Sequence, residues 1–296
     1  MRTDDVPSTD SMQVVGGSAS RSLAKELAGQ LGAGLAHVEV ARFPDDECYL
    51  RIEGDLAGEE VVIVQTTCPD RNIIELLLLQ DAVADLGMAS VTTVAPYFGY
   101  ARQDKKFNEG EPVSARALAR AISATTDRFL TVDVHAASVM SWFEGVDAHN
   151  VSGHAEIGGF LREQGAELVL SPDEGRRDNA EHVAEVVGCD SDFLVKERLN
   201  GETVMMTPKS LDVSGRKVAI VDDIISTGGT IVRAAEQLRN QGANEITAVC
   251  THGVFAGGAI AKLRAVCDEV YSTDTIENPT TAMTVASQIA RTIQER

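Results

Sequence analysis

Apolar residues along this chain fall into short runs separated by stretches of helical period. Aliphatic, often β-branched runs recur at Val14–Gly16, His37–Val40, Val61–Gln65, Val91–Ala95, Phe129–Val132, Glu167–Leu170, Asp192–Val195, Lys217–Val221, Glu245–Cys250 and Glu269–Tyr271, and each predicts a strand. Between most of them, apolar residues at i, i+3, i+4 spacing predict helices over Ser20–Leu31, Asn72–Leu86, Ser114–Thr125, Asn179–Val187, Thr230–Asn240 and Thr281–Glu295. Strands that alternate with helices predict an α/β fold, with mainly parallel sheets covered by helices on both faces. Ser114 is placed to cap one helix, and Gly87 and Gly242 to close two others.

The pattern also recurs. Strand, helix, strand, long polar loop and a strand ending in an acid occurs once up to Asp133–His135 and again up to Asp222–Asp223. Two similar domains are expected, with a break near Val146–Gly153, which gives domains over 12–149 and 150–280. The acidic, polar residues 1–11 are expected to be a disordered lead. Residues 281–296 are expected to form a helix that packs back on the first domain. Residues Ala41–Arg51 predict a hairpin: an apolar strand, a Pro44-Asp45-Asp46 turn and a second strand.

Composition narrows the class. The 296 residues are long enough for two cores, and no apolar run approaches the length of a membrane span. Five cysteines, odd in number and without a C-x-x-C pair, predict reduced thiols and a cytoplasmic setting rather than a disulfide framework or zinc site. Asp and Glu outnumber Lys and Arg 45 to 26, and seven of the basic residues are Lys. Nucleic acid is therefore not expected as a partner. An enzyme for anionic substrates with this balance needs local basic clusters, divalent metal and screening salt.

The most specific segment is Val218-Ala-Ile-Val-Asp222-Asp223-Ile-Ile-Ser226-Thr227-Gly228-Gly229-Thr230. A buried strand ends in two carboxylates that can reach sugar hydroxyls. It is followed by a small, hydroxylated loop whose N–H groups can converge on a phosphate at a helix start. No Lys follows the glycines and no G-x-G-x-x-G is present, so neither a Walker loop nor a dinucleotide fingerprint is indicated. An Asp-Asp helix cap with an ordinary turn is the structural alternative.

Four other segments carry candidate chemistry. Tyr97-Phe98-Gly-Tyr-Ala-Arg102-Gln103-Asp-Lys-Lys-Phe107 sets aromatics beside basic groups, able to stack a purine and hold phosphate; alternatively it is a basic turn with Tyr97 and Phe98 in the core. His135 follows a strand and an acid and can ligate a metal. Asp173, beside Gly175 at a strand end, can ligate Mg²⁺ or ribose, or cap a helix. Lys196 and Arg198 face one side of an extended chain that leads into the polar run Asn200–Asp212. They can serve a transferring diphosphoryl group from a mobile lid, or act as solubilising charges on an edge strand.

Together, and in this order, these segments resemble the ribose-phosphate diphosphokinases, also called phosphoribosyl diphosphate synthetases, from about Met12 onward. The compact length and the Ser226–Thr230 sequence look more like the archaeal branch than the bacterial one. The resemblance implies two type I phosphoribosyltransferase-like domains. It also implies transfer of the β,γ-diphosphoryl group of ATP to the anomeric hydroxyl of ribose 5-phosphate, with two Mg²⁺ ions and a homo-oligomer, dimer or higher. By the same resemblance, Phe43, Asp45 and Glu47 reach the adenine pocket of a neighbouring subunit, and Arg102 and Gln103 bind ATP. His135 and Asp173 hold metal, and Lys196 and Arg198 are catalytic. Arg198, Asp222, Asp223, Ser226, Thr227, Gly228, Gly229 and Thr230 bind ribose 5-phosphate. Asp46 stands where the family usually has Gly, and Glu174, Arg176 and Arg177 stand where small residues or Lys are common. Single-domain phosphoribosyltransferases and a non-catalytic regulatory homologue are the alternatives. The acidic balance suggests a salt-adapted cytosol.

Overall fold

The structure, a computed structural model, describes residues 12–198 and 204–295, without the side chains of 196–206. The expected disordered lead, 1–11, lies outside the described residues. The chain divides into two units, residues 1–151 with 286–296, and residues 152–285.

The first unit holds β1 (Met12–Gly16), α1 (Arg21–Leu31), β2 (Gly34–Arg42), β3 (Cys48–Glu53), β4 (Glu60–Val64), α2 (Arg71–Asp85), β5 (Ser90–Ala95), α3 (Ser114–Ile122), β6 (Arg128–Val132) and β7 (Asp147–Val151). The second holds α4 (His154–Gln164), β8 (Leu168–Ser171), α5 (Arg177–Val187), β9 (Asp190–Arg198), β10 (Val204–Pro208), β11 (Lys217–Ile225), α6 (Gly229–Asn240), β12 (Glu245–Gly253), α7 (Ala259–Arg264), β13 (Glu269–Thr273) and β14 (Thr281–Met283). A last helix, α8 (Ala286–Gln294), returns to the first unit.

Among the described residues the two sheets share one topology. The spatial orders are β3-β2-β1-β4-β5-β6-β7 and β10-β9-β8-β11-β12-β13-β14. Every neighbouring pair is parallel except the edge hairpins β2/β3 and β9/β10. The central strands are continuous apolar runs because both faces are covered. In β11, Val218 and Ile220 join the cluster that contains Ala234, Leu238 and Leu263 of α6 and α7. Their neighbours Ala219 and Val221 join Ile157, Leu161 and Val183 of α4 and α5 on the other face. A period of two thus divides one run between two cores, each buried aliphatic side chain contributing roughly 1.5–3 kcal/mol. The edge strand β3 alternates strictly between half-buried and exposed positions.

Topology corrects the expected repeat. β6, which precedes Asp133, has β13 as its counterpart, whereas the counterpart of β11 is β4. The two acidic strand ends are therefore not equivalent positions. Thr281–Glu295 is not one helix: residues 281–283 form β14 beside β13, and the helix begins at Ala286. The buried stripe Ala286, Ile289, Ala290, Ile293 faces the first unit. There Arg128 donates to the carbonyls of Ile293 and Thr292 at 3.2 Å each, satisfying acceptors that a helix end leaves open. Ser114 does not cap α3. It is the first helical residue, and its hydroxyl donates to Gln103 Oε1. Gly87 and Gly242 do close α2 and α6, at φ 72° and 91°, their N–H groups donating to Ala84 and Arg239. No helix among the described residues is long and apolar enough to cross a membrane.

Candidate active site

Parallel pairing places the candidate groups of each unit at one edge of its sheet, beyond the carboxyl ends of the strands, where α/β sheets bind ligands. In the second unit β8 leads to Asp173, β9 ends at Lys196–Arg198 and β11 leads through Asp222 and Asp223 to Thr230. In the first unit β2 leads to Phe43–Glu47, β5 to Arg102 and Gln103, and β6 to His135.

Asp222 and Asp223 have different environments. Asp223 is 4% exposed; its Oδ1 accepts the Ile224 N–H at 2.9 Å and its Oδ2 lies 2.7 Å from Arg176 Nη2. Asp222 Oδ1 accepts the Asp223 N–H at 3.0 Å. Burial, and then the adjacent Asp223 carboxylate, push the Asp222 carboxyl well above the ordinary carboxylate range, with Arg176 opposing the shift. Neither carboxylate serves as the side-chain cap of α6, which has none. The structural alternative of an acidic cap is therefore not what forms here.

The loop then turns at Gly228, in left-handed conformation at φ 73°, where a Cβ would stand 3.3 Å from Leu263. The left-handed conformation calls for glycine, and a Cβ there would also crowd the Leu263 side chain. The Gly228 carbonyl accepts the Val232 N–H at 2.9 Å and opens α6. The first-turn N–H groups of a helix have no intrahelical acceptor, and together with the helix dipole they favour an anion.

Asp173 has extended backbone (φ −163°, ψ 172°) and leads into a 3-10 turn over Glu174–Arg176. Its carbonyl accepts from Ser171 Oγ at 2.8 Å and from the Arg176 N–H at 3.2 Å. It does not cap α5, whose flanking residue is Arg176. The two arginines diverge: Arg176 reaches Asp223, while Arg177 pairs with Glu181 at 2.5 Å and lies over the Phe193 ring. The Arg176 contact was not anticipated from sequence. The available signal was that a carboxylate buried beside another needs a cation nearby.

Lys196 and Arg198 sit in β9, whose register sets them opposite Met206 and Val204 of β10. Their side chains, and residues 200–203 of the expected lid, lie outside the described residues. The rest of Asn200–Asp212 is not all loop, since Val204–Pro208 forms β10. The base of this hairpin is pinned by Asp192, 8% exposed. Its Oδ2 accepts the N–H groups of Ser210 and Leu211 at 2.8 and 3.0 Å.

In the first unit, Tyr97 and Phe98 are core residues, as the structural alternative held. Phe98 packs edge-on to Phe129 and Phe143 at 5.7 Å. Within this segment the exposed aromatics are Tyr100 and Phe107, 42% and 64% accessible, and these flank the exposed Arg102. Tyr100 donates to Asp70 Oδ1 at 2.8 Å, and Gln103 holds Ser114 at the start of α3. His135 is half-buried past a kink at Asp133, φ 37°, where the Val134 N–H donates to Asn150 at 2.8 Å. The hairpin turn is closed by the Asp46 N–H to the Phe43 carbonyl and the Phe43 N–H to the Glu47 carbonyl, both 2.9 Å. Asp46 adopts φ 69°, the left-handed geometry that Asp tolerates in place of Gly. Phe43 is half-exposed, edge-on to Tyr49 at 5.8 Å.

A cavity of about 450 Å³ in the first unit lies at the opposite, amino-terminal edge of the strands, lined by Glu60, Thr92, Arg128, Asp147 and His149. Its guanidinium is engaged with Asp147 at 3.0 Å and with α8.

Residues 12–125 match the family model of the N-terminal domain of ribose phosphate pyrophosphokinase, and residues 178–294 that of the phosphoribosyl synthetase-associated domain. His135 and Asp173 fall between the two matched segments. The ribose-phosphate pyrophosphokinase of Methanopyrus kandleri is 42% identical over 96% of this chain and 99% of its own. That of Methanosarcina mazei is 42% identical over 95% of each, and that of Thermococcus kodakarensis 42% over 93% and 98%. The crystal structure of phosphoribosylpyrophosphate synthetase from Mycobacterium smegmatis aligns with a TM-score of 0.82 at 28% identity, over 96% of this chain and 98% of that one.

Proposed function

The chain belongs to the ribose-phosphate pyrophosphokinase family, and from that premise we propose how its residues divide the transfer of the β,γ-diphosphoryl group of ATP to the anomeric hydroxyl of ribose 5-phosphate, releasing AMP. The observation that carries the assignment is the sequence of environments from the end of β11 into α6. Two carboxylates, Asp223 buried and Asp222 half-buried, precede a left-handed glycine and a helix start without a side-chain cap. Asp222 and Asp223 accept hydrogen bonds from the ribose hydroxyls. The N–H and hydroxyl groups of Ser226, Thr227, Gly228, Gly229 and Thr230 hold the 5-phosphate, assisted by Arg198.

Arg102 and Gln103 hold ATP, with Phe43, Asp45 and Glu47 supplied by a neighbouring subunit, so the working unit is a dimer or larger. The exposed aromatic pair of Phe43 and Tyr49 supports this, since adjoining apolar rings left in water suit a contact made between chains. Lys196 and Arg198 neutralise charge on the transferring group, and alignment of the sugar oxygen with the β-phosphorus supplies the rest. No covalent nucleophile is required.

His135 and Asp173 are the proposed protein ligands of two Mg²⁺ ions. Asp173 offers the oxygen donor that magnesium prefers, a half-buried carboxylate from extended backbone, and His135 adds a half-buried imidazole nitrogen. Magnesium that is held largely by substrate phosphates needs only one or two such ligands. When bound, the ions supply neutralisation of phosphate charge. The five thiols are free and suit a reducing, cytoplasmic setting. Incubating the protein with Mg²⁺, ATP and ribose 5-phosphate should give AMP only when the sugar is present. AMP without sugar, or none with it, contradicts the reading.

A further inference from the structure

We propose that Arg176 is a positioning residue for the sugar acceptor: it fixes the Asp223 carboxylate and ties the Asp173 turn to it, so that affinity for ribose 5-phosphate depends on it while affinity for ATP does not. The inference rests on the assignment of Asp222 and Asp223 to the ribose hydroxyls.

The geometry differs from that of a surface ion pair. Asp223 is 4% exposed and the Arg176 side chain 21%, with 2.7 Å between Nη2 and Oδ2. The other Asp223 oxygen takes the Ile224 N–H. Both oxygens are thus held, one by the chain itself and one by the guanidinium, and the plane of the carboxylate is set. Without the cation, Asp223 would be a buried charge beside a second carboxylate, Asp222, and would turn or lose its charge to relieve it. Either response removes an acceptor from a sugar hydroxyl.

The second link is through the backbone. The Arg176 N–H donates to the Asp173 carbonyl at 3.2 Å, and Ser171 Oγ donates to the same oxygen at 2.8 Å. One residue therefore joins the turn after β8 to the strand end of β11, setting the spacing between Asp173 and the sugar-binding acids. Arg177, next in sequence, has no part in this, being paired with Glu181.

The test uses Arg176→Met, Arg176→Lys, Asp223→Asn and the Met/Asn double variant. For each, calorimetric binding of ribose 5-phosphate without metal is measured alongside KM for both substrates and a melting curve. Arg176→Met should weaken ribose 5-phosphate roughly ten- to a hundredfold, the size of a lost hydrogen bond to a charged group, and leave KM for ATP within about twofold. Arg176→Lys should recover part of the loss. The double variant should be no weaker than Asp223→Asn alone, because the pair acts as one unit. Should Arg176→Met not fold, Arg176→Lys, with a point charge in place of the fork, reads the same split between substrates. Equal effects on both substrates, or losses that multiply in the double variant, overturn the inference. So does an unchanged ribose 5-phosphate affinity in Arg176→Met while Asp223→Asn is weak. If Asp223→Asn itself binds normally, the ribose assignment fails, and the inference with it.

Discussion

Asp222 carries a stability penalty that its proposed role explains. Its carboxyl is held well above the ordinary range, by burial first and by Asp223 second. A raised carboxyl pKa means that the folded chain keeps a proton the unfolded chain releases, so stability is full below the ordinary carboxylate range and declines as pH rises through the raised value. Asp222→Asn removes that titration. It should raise Tm at pH 8 by roughly 2–4 °C per kcal/mol relieved, with the gain disappearing toward pH 4, while synthesis of product is lost. A lower Tm at pH 8 would contradict the account. Lys196 should behave in the opposite sense. A cation that acts mainly on the transition state contributes little to binding, so Lys196→Ala should lower kcat on the order of a hundredfold or more and barely change KM for ATP. Near-normal turnover would refute its assignment.

At the scale of elements, the β9–β10 hairpin shows how a strand with charged residues at its end is held. Antiparallel pairing from Leu194–Pro208 to Arg198–Val204 sets the backbone of positions 196 and 198. Asp192 anchors the other end through the N–H groups of Ser210 and Leu211, with its Oδ1 accepting the Phe193 N–H at 2.9 Å. Asp192→Ala would remove these charge-assisted hydrogen bonds at a cost of about 1–3 kcal/mol. Urea denaturation should register that loss, and kcat should fall with KM for ribose 5-phosphate raised and KM for ATP little changed, because the residues displaced are Lys196, which acts on the transferring group, and Arg198, which also assists the 5-phosphate. A variant as stable and active as the parent would show that the hairpin is held elsewhere.

At the scale of the whole molecule, one topology occurs twice but the chemistry after corresponding strands does not. After β4, the counterpart of β11, come Gln65, Thr66 and Thr67, all buried and neutral. Gln65 Oε1 accepts the Ala19 N–H at 3.1 Å, and the Thr66 N–H donates to Ser20 Oγ at 2.9 Å. The strand end that presents two carboxylates in the second unit is thus filled by internal hydrogen bonds in the first. The formal charge of −19 belongs to the chain as a whole, and self-repulsion on this scale opposes both the compact state and the approach of phosphates. Raising KCl from tens of millimolar to about 1 M, where the screening length falls to about 3 Å, should raise Tm and activity together. Loss of activity over that range would contradict a salt-adapted protein.

The α/β class, ten of the strands, the hairpin turn and the strand, acids and glycine loop at Asp222–Thr230 were legible in the sequence, because each is encoded locally by an apolar period or by residues that a particular backbone conformation demands. What escaped has little local signal. β14 is three residues long, β7 is the polar edge run Asp-Ala-His-Asn-Val, and α4 carries two adjacent glycines. Which strand ends correspond, and that Tyr97 and Phe98 belong to the core rather than to a ligand, depended on pairings between distant segments. The Arg176–Asp223 contact is of the same kind. It joins residues far apart in sequence, and only the alignment of β8 beside β11 brings the guanidinium to a carboxylate that burial leaves in need of it.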